Sequence, residues 1–175
     1  MAVSATVSGG GRMARVLDAI GAHIAAGGVV RVGFLEGATY PVVAKRILAG
    51  KGLSKKKRAG IEKAAVENAH LSVAQVALWD EYGTTRSKPR PFFRNMIAKE
   101  SPTWGLEMAA LLKRNNYDRA KVLALMGLRI SEELTESIAE WPADNRPATI
   151  ARKGFNKGLI DKGIMQRAPD YQVQT

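Results

Sequence analysis

The chain has no cysteine, which excludes disulfide bonds, thiol nucleophiles and thiolate metal sites. Its two histidines, His23 and His70, have no second histidine or carboxylate at the spacing of metal ligands. A G-x-x-x-x-G-K-[ST] phosphate loop is also missing from the sequence. Asp80 and Glu81 are adjacent, and neighbours on a helix point in divergent directions, which suits paired acid–base catalysis poorly. We therefore expect no cofactor, no metal and no enzyme activity, and we expect this acidic pair to lie on a solvated or subunit-facing edge.

Long apolar runs are equally scarce. None approaches the roughly 20 residues that a membrane-spanning helix needs. The N-terminus, residues 1–11, is small and polar and lacks the apolar segment of a secretory signal. A chain of 175 residues that is 46% hydrophobic can bury a core as one domain over residues 1–175. We therefore predict a soluble protein that is made inside the cell and has no membrane partner.

Acidic residues are few where basic residues are dense. The chain has 27 Lys and Arg against 16 Asp and Glu, a formal net charge of +11. Residues 45–63, 86–99 and 146–167 together hold 19 of the basic residues and only 2 of the acidic ones. An acidic cluster lies elsewhere, at Glu132, Glu133, Glu136, Glu140 and Asp144. This asymmetry favours contact with a polyanion or charge-matched assembly, and the alternative is a charge that only maintains solubility.

Two kinds of periodicity predict an α+β fold. Apolar residues that recur every three or four positions indicate amphipathic helices, and β-branched residues with alternation indicate strands. The predicted helices are residues 13–26, 73–82, 101–116 and 118–141, and the predicted strands are residues 29–35 and 171–173. We expect a small, mostly antiparallel sheet packed by several helices, with an extended irregular C-terminal arm at about 142–175.

Residues 42–68 differ in character from the segments around them. Ser54 is a potential N-cap for a Lys-rich helix. Four successive basic residues in that helix would cover every side of a turn and leave no apolar stripe. We predict a basic insertion, an excursion from the main fold that is mobile near 51–58. The side chains expected to face DNA or a partner are Lys55, Lys56, Lys57 and Arg58.

Helical periodicity stops at Trp141-Pro142, because proline cannot continue a helix and restricts the residue before it. The following residues are rich in Pro, Gly and Asn but keep spaced apolar anchors. A disordered tail would have no such anchors, so we predict an ordered arm that lies on another surface. Its candidate contact residues are Trp141, Asn145, Pro147, Ile150, Leu159 and Ile160.

The segment Arg90-Pro91-Phe92-Phe93-Arg94 connects the helix at 73–82 to the longer helices. Proline favours an extended approach, and the two adjacent aromatic side chains then point to different sides. We predict that one ring enters the core and the other faces a neighbouring subunit. Arg90, Phe92, Phe93 and Arg94 are therefore candidate contact residues.

These segments, taken in order, resemble a known family. Val32-Gly33-Phe34, residues 76–84 (VALWDEYGT) and residues 90–94 (RPFFR) are similar to the head–tail neck and tail-completion proteins of tailed bacteriophages, the minor tail protein Z-like group. The C-terminal pattern is similar too, in Asn145-x-Pro147-x-Thr149-Ile150, Lys153-Gly154 and Leu159-Ile160-Asp161-x-Gly163-x-Met165. The ordered set covers most of the chain and is more specific than any single motif.

Two segments depart from the family pattern. Residues 42–68 are longer than the pattern leads us to expect. After Met165 the family usually continues into a Ser-Ile-rich strand, but here Pro169 shortens or displaces any strand.

The resemblance implies a non-enzymatic structural virion protein of the neck, made in the host bacterial cytoplasm. Such a protein forms a homo-oligomeric ring, expected to have six copies, that joins the DNA-filled head to the tail. The implied partners are portal and head–tail connector proteins, tail terminator, tube or sheath proteins, and genomic DNA in the lumen. One alternative is a tail terminator or tube-type protein of the same particle. Another is a nucleic-acid-binding protein, although no helix-turn-helix, zinc-finger or RNP-type signature is present.

Overall fold

The computed structural model of the protein describes residues 10–25, 27–50 and 52–175. Most of the N-terminal segment in which no secretory signal was found, and Lys51 at the expected mobile tip, lie outside these residues. The helices are α1 (Gly10–Ala25), α2 (Tyr40–Ala49), α3 (Lys55–Glu67), α4 (Val73–Tyr82), α5 (Phe92–Arg114), α6 (Arg119–Glu140) and α7 (Pro147–Lys153). The strands are β1 (Val29–Gly33) and β2 (Asp170–Gln174), and a short 3-10 turn lies at Met165–Arg167. The described chain is an α+β fold, as predicted.

Three helix starts follow directly from the sequence. The side chain of Ser54 accepts a hydrogen bond from the first turn of α3, Ser72 does the same for α4, and Asp118 does so for α6. Each supplies an acceptor to a backbone N–H that has no partner within its own helix. Gly83 then ends α4 with φ of +79°, a conformation that glycine adopts without strain. Ser54 thus caps a Lys-rich helix as predicted, and α4 and α6 match the helices predicted at 73–82 and 118–141.

The two strands form an antiparallel pair that lies on α6. The register places Val30 opposite Val173 and Val32 opposite Tyr171. Gly127 of α6 makes this packing possible, because a Cβ there would lie only 2.5 Å from the Tyr171 ring and 2.8 Å from Val30. The short strand at the C-terminus therefore exists as predicted, beginning directly after Pro169.

Helix α5 is one continuous helix, so the prediction that a helix starts at Ser101-Pro102 is wrong. Pro102 lies in the interior of α5 with its side chain exposed. A proline there removes one backbone hydrogen bond, which costs about 3 kcal/mol. Met96 and Trp104, on either side of this point, both belong to the core packing. Burial on both sides outweighs the local cost.

The basic insertion is part of the main fold, so the prediction that residues 42–68 are an excursion is wrong. Val43 and Ile47 of α2 and Ile61 of α3 are buried in the same core as α4, α5 and α6. Ile61 is fully buried, and Ala64 and Ala65 beside it are half-buried. The apolar strip is narrow and begins only after Arg58, so the charged first turn of α3 makes it hard to recognise in the sequence.

The C-terminal region is irregular over 141–146 and 154–164, apart from the intervening α7. It nevertheless lies on its own subunit, because Leu159, Ile164 and Met165 are buried in the core that α2–α6 form. The prediction that its apolar anchors lie on another surface is therefore wrong for Leu159. Among the described residues, no helix is both long and apolar enough to cross a membrane.

Candidate functional site

A cleft of about 900 Å³ opens between α3, α4, the loop that precedes α5, and the C-terminal region. Its apolar lining comes from the start of α2, from α4 and from the segment around Leu159. These residues are Tyr40, Val76, Leu159, Ile160, Ile164 and Met165. The cleft thus brings together regions that are more than 100 residues apart in the sequence.

The charged lining of the cleft is mainly basic. Among the described residues, eight Lys and Arg side chains line it, against four carboxylates. The basic residues are Lys63, Arg86, Lys88, Arg90, Arg146, Arg152, Lys153 and Lys162, and the acidic ones are Glu67, Asp80, Asp144 and Asp161. Every one of the four carboxylates is in an ion pair with a basic side chain. The excess positive charge therefore remains available to an acidic partner.

Arg90 holds one wall of the cleft together. Its Nη1 donates to Asp80 Oδ1 of α4 at 3.0 Å, and its Nε donates to Asp144 Oδ2 at 2.8 Å. The guanidinium side chain is only 15% exposed, and Asp144 is similarly buried. A planar guanidinium can serve two carboxylates at once, so Arg90 ties α4 to the segment that follows α6.

The two carboxylates respond to this environment in opposite ways. Burial raises the pKa of Asp80, and the hydrogen bond and charge of Arg90 offset this only in part. For Asp144, burial also acts to raise the pKa, but the hydrogen bond and charge of Arg90 outweigh it and the pKa is lowered. Arg90 itself has a raised pKa, because the two carboxylates outweigh the effect of its own desolvation. Asp144 is thus the firmly ionised partner of Arg90.

Glu81 is buried, so the prediction that the Asp80–Glu81 pair lies on a solvated or subunit-facing edge is wrong. Its side chain is 7% exposed, and its Oε2 accepts a hydrogen bond from the backbone N–H of Phe93 at 2.9 Å. Its Oε1 accepts from the backbone N–H and from Nε of Arg94, at 3.2 Å and 2.7 Å. Pro91 at the N-cap of α5 has no side-chain acceptor, so a carboxylate from α4 caps α5 instead.

The two phenylalanines lie at different depths. Phe92 is 1% exposed and packs edge-on against Phe34, with ring centroids 6.4 Å apart. Phe93 is half-buried and stacks on Phe92. Arg94 is half-exposed and lies over the ring of Tyr82 at 4.7 Å. One ring therefore enters the core, as predicted, and the Arg94–Tyr82 pair lies at the surface.

Trp141 and Asn145 hold the C-terminal region against its own subunit. Trp141 is half-buried, and its Nε1 donates to Asp144 Oδ2 at 3.4 Å. Asn145 donates from its backbone N–H to Asn156 Oδ1 at 3.1 Å and from Nδ2 to the carbonyl of Lys157 at 2.7 Å. Both residues, predicted as contacts with a neighbour, have a structural role within the chain.

The remaining predicted contact residues of the arm lie at different depths. Pro147 is exposed at the first turn of α7, where its fixed φ suits a helix start. Ile150 and Ile160 are half-buried, whereas Leu159 is only 7% exposed. The surface that this region leaves for a partner is therefore α7 and the exposed edge of the cleft at Arg86, Lys88 and Arg146, which we call the cleft rim.

The four predicted basic residues separate into two groups. Lys55, Lys56 and Lys57 are exposed in the first turn of α3. Arg58 is half-buried, and its guanidinium donates to the carbonyl oxygens of Leu48 at 3.1 Å and Gly50 at 3.3 Å. The prediction that all four face a partner is wrong for Arg58, because its donors close the end of α2.

An acidic surface lies on α6, outside the basic cleft. Glu132, Glu136 and Glu140 follow one another at four-residue spacing and are all exposed; we call them the acidic ridge. In the described part of the chain, no ion pair joins any of these three to a basic side chain. Glu133, by contrast, accepts hydrogen bonds from Trp104 and Arg129.

Sequence reasoning missed several residues of this site. The pairing of Arg90 with Asp80 and Asp144 bridges 10 and 54 positions, and no spacing rule signals it. The only sequence signal for Arg86, Lys88 and Arg146 was that each belongs to a basic segment.

In the described residues, no group of three or more His, Asp or Glu side chains is arranged to hold a metal ion. Comparisons with family models, with curated proteins and with solved structures found no match to this chain.

Proposed function

We propose that this chain is a structural virion protein of a tailed phage, a neck or tail-completion subunit that forms a ring between the DNA-filled head and the tail. Six copies are expected from the symmetry of phage tails, and the partners are the portal or connector proteins above and the terminator, tube or sheath proteins below. The role is mechanical rather than catalytic. The chain is made in the bacterial cytoplasm and becomes part of the virion.

The observation that carries the proposal is the bonding between the segments that resemble the family. Asp80 and Glu81 of the VALWDEYGT segment pair with Arg90 and Arg94 of the RPFFR segment. The C-terminal pattern joins the same group through Asp144, next to Asn145. Motifs that are scattered in sequence thus form one polar frame, which supports reading them as a set rather than as chance matches.

A second line of support is the charge distribution. The basic cleft and the acidic ridge are two different surfaces on one subunit, and ring formation requires contact between two different surfaces.

The test is removal of the gene from the phage that encodes it, followed by electron microscopy of the lysate. We expect filled heads and separate tails to accumulate, and purified protein added to the lysate to restore joining. A cryo-EM map of the intact particle should place the chain in a ring at the neck. A map in which the chain is a scattered decoration without rotational symmetry would refute the proposal.

Nucleic-acid binding is the second candidate, and one observation favours it. Lys55, Lys56 and Lys57 are exposed at the start of α3, a position where backbone N–H groups also attract phosphate. A gel shift on the isolated chain tests this, because phosphate contacts give an affinity that falls steeply with salt.

A further inference from the structure

The acidic ridge and the cleft rim carry opposite charges that form few ion pairs within their own subunit. The ridge carboxylates Glu132, Glu136 and Glu140 lie about 6 Å apart along α6, from the helical rise of 1.5 Å per residue. On the cleft rim, neither Arg86 nor Arg146 has a carboxylate partner among the described residues. Lys88, also on the rim, reaches Asp144 only at 3.7 Å, with its side chain 68% exposed.

The two surfaces belong to different parts of the subunit. The ridge lies on α6, and the rim borders a cleft of about 900 Å³. They are separate surfaces of one subunit, because Glu136 and Glu140 line a smaller groove between α5 and α6, of about 190 Å³, that shares no lining residue with the cleft. The ridge of one subunit can therefore contact only the cleft of another copy.

We propose that the acidic ridge of one subunit docks into the cleft of a second copy of this chain, with Glu132, Glu136 and Glu140 facing Arg86, Lys88 and Arg146. This inference rests on the proposed ring function and names the surfaces that form the ring. The two surfaces differ, so the contact is heterologous, and it produces a ring when its rotation closes.

A protein partner suits the cleft better than nucleic acid. Besides Ala64, six larger apolar or aromatic side chains line it next to the basic residues. Phosphates entering the cleft would leave the apolar lining without contact. A helix edge that carries both carboxylates and methylene groups satisfies both parts of the lining.

Charge reversal tests the pairing. The first variant carries Glu136→Lys and Glu140→Lys, and the second carries Arg86→Glu and Arg146→Glu. Each alone should raise the concentration at which oligomers form at least tenfold, measured by sedimentation velocity at low salt. An equimolar mixture of the two should restore assembly, because every contact is then between opposite charges.

A matched control keeps the size of the charge change. Lys113→Glu with Arg114→Glu reverses two exposed charges at the far end of α5, about 33 Å from Phe92 by helical rise. This control should assemble as the unchanged protein does. In the mixture of the two reversed variants, subunits must alternate around a ring, so a closed ring with an even number of copies is expected.

The absence of cysteine allows a second, covalent test. A chain with Glu136→Cys and Arg146→Cys should form a ladder of disulfide-linked oligomers on mild oxidation, both in concentrated solution and in particles. A chain with Glu136→Cys and Lys113→Cys should form no such ladder. The ladder reports proximity and does not depend on the strength of the isolated interface.

The outcomes separate this inference from the function on which it rests. Unchanged assembly of both charge-reversed variants, or no ladder from the first cysteine pair, overturns the docking and leaves the ring function in place. If Arg86→Glu with Arg146→Glu instead weakens binding to double-stranded DNA and leaves self-association unchanged, the cleft is a nucleic-acid site and the docking is wrong. A ladder in solution together with a particle map without rotational symmetry contradicts the neck function alone.

Discussion

Glu81 accepts two hydrogen bonds from Arg94 at one oxygen. Its Oε1 accepts from both the backbone N–H and the guanidinium Nε of that residue. The side chain of Glu81 is buried, at 7% exposure, whereas the side chain of Arg94 is half-exposed. A buried carboxylate needs such donors to replace its water shell. The N-terminus of α5 supplies two of them as backbone N–H groups, so α4 and α5 are fixed relative to each other at the edge of the core.

Replacing this carboxylate by its amide should loosen that joint. Glu81→Gln keeps the shape but removes the charge, so we expect the free energy of unfolding to fall by about 1.5–3 kcal/mol, the range for hydrogen bonds to charged groups. The urea midpoint measures the change, provided that the slope stays constant. Glu62→Gln, on an exposed position of α3, is the control and should be neutral. Equal midpoints for the two variants would contradict the capping role.

Arg90 should not tolerate lysine. A single ammonium group cannot reach Asp80 and Asp144 with the geometry of a guanidinium fork, so Arg90→Lys leaves one buried carboxylate poorly paired. We expect a loss of about 1–3 kcal/mol in the free energy of unfolding. Arg86→Lys makes the same chemical change at an exposed position nearby and should stay within about 0.5 kcal/mol of the unchanged protein.

The acid stability of the protein should depend on which partner of Arg90 is removed. The pKa of Asp144 is lowered when the protein folds, so Asp144 contributes stability that is present above its ordinary pKa of 3.8 and is lost as pH falls through the lower folded value. Asp144→Asn should therefore flatten the stability–pH curve below about pH 4, besides weakening the protein at neutral pH.

Asp80 has the opposite sign. Its pKa is raised in the folded protein, so it contributes a stability gain as pH falls through the folded value toward 3.8. Asp80→Asn should remove that gain and make the acid limb of the curve steeper. Chemical unfolding at a series of pH values checks both variants. Curves of the same shape for the two would contradict the assigned directions.

The two phenylalanines should differ in their contribution to stability. Phe92→Ala empties a fully buried position and should cost about 3–5 kcal/mol. Phe93→Ala removes a ring that is only half-buried, so it should cost less, about 1–2 kcal/mol. Ile97→Ala, at an exposed position of the same helix, is the control. In the phage, the double Phe92→Ala, Phe93→Ala variant should leave filled heads and tails unjoined, and a normal infectious yield would remove this segment from the functional account.

Substitutions in the basic first turn of α3 should have two different effects, one on binding and one on stability. Replacing Lys55, Lys56 and Lys57 by Gln should leave the melting temperature unchanged and weaken head–tail joining in lysates. Arg58→Gln should instead lower the free energy of unfolding by about 0.5–1.5 kcal/mol, because it removes donors from Leu48 and Gly50. If joining is unaffected by the triple change at every salt concentration, the three lysines form only a solvated surface.

Much of the secondary structure was predictable from the sequence because its causes are local. Ser54, Ser72 and Asp118 cap helices with side chains that reach only three residues ahead. The alternation in β1 and at 171–173 likewise needs only neighbouring residues. The start of α5 was not predictable from local rules, because the packing of α5 on α6 outweighs the local cost of Pro102.

The candidate site was predictable only in its charge. The excess of Lys and Arg over 86–99 and 146–167 is visible in the sequence, and so is the acidic spacing of Glu132, Glu136 and Glu140. The sequence alone thus determined the α+β class, the helix caps and the separation of charge into basic and acidic segments.

Only the tertiary structure decided which of these residues are occupied within the subunit. In the folded subunit, contacts with other segments of the chain engage the side chains of Arg58, Glu81, Arg90 and Leu159. The side chains of Arg86, Arg146 and the acidic ridge remain exposed. The physical reason is that burial and pairing depend on distances between distant segments, for which the order of residues along the chain gives no measure.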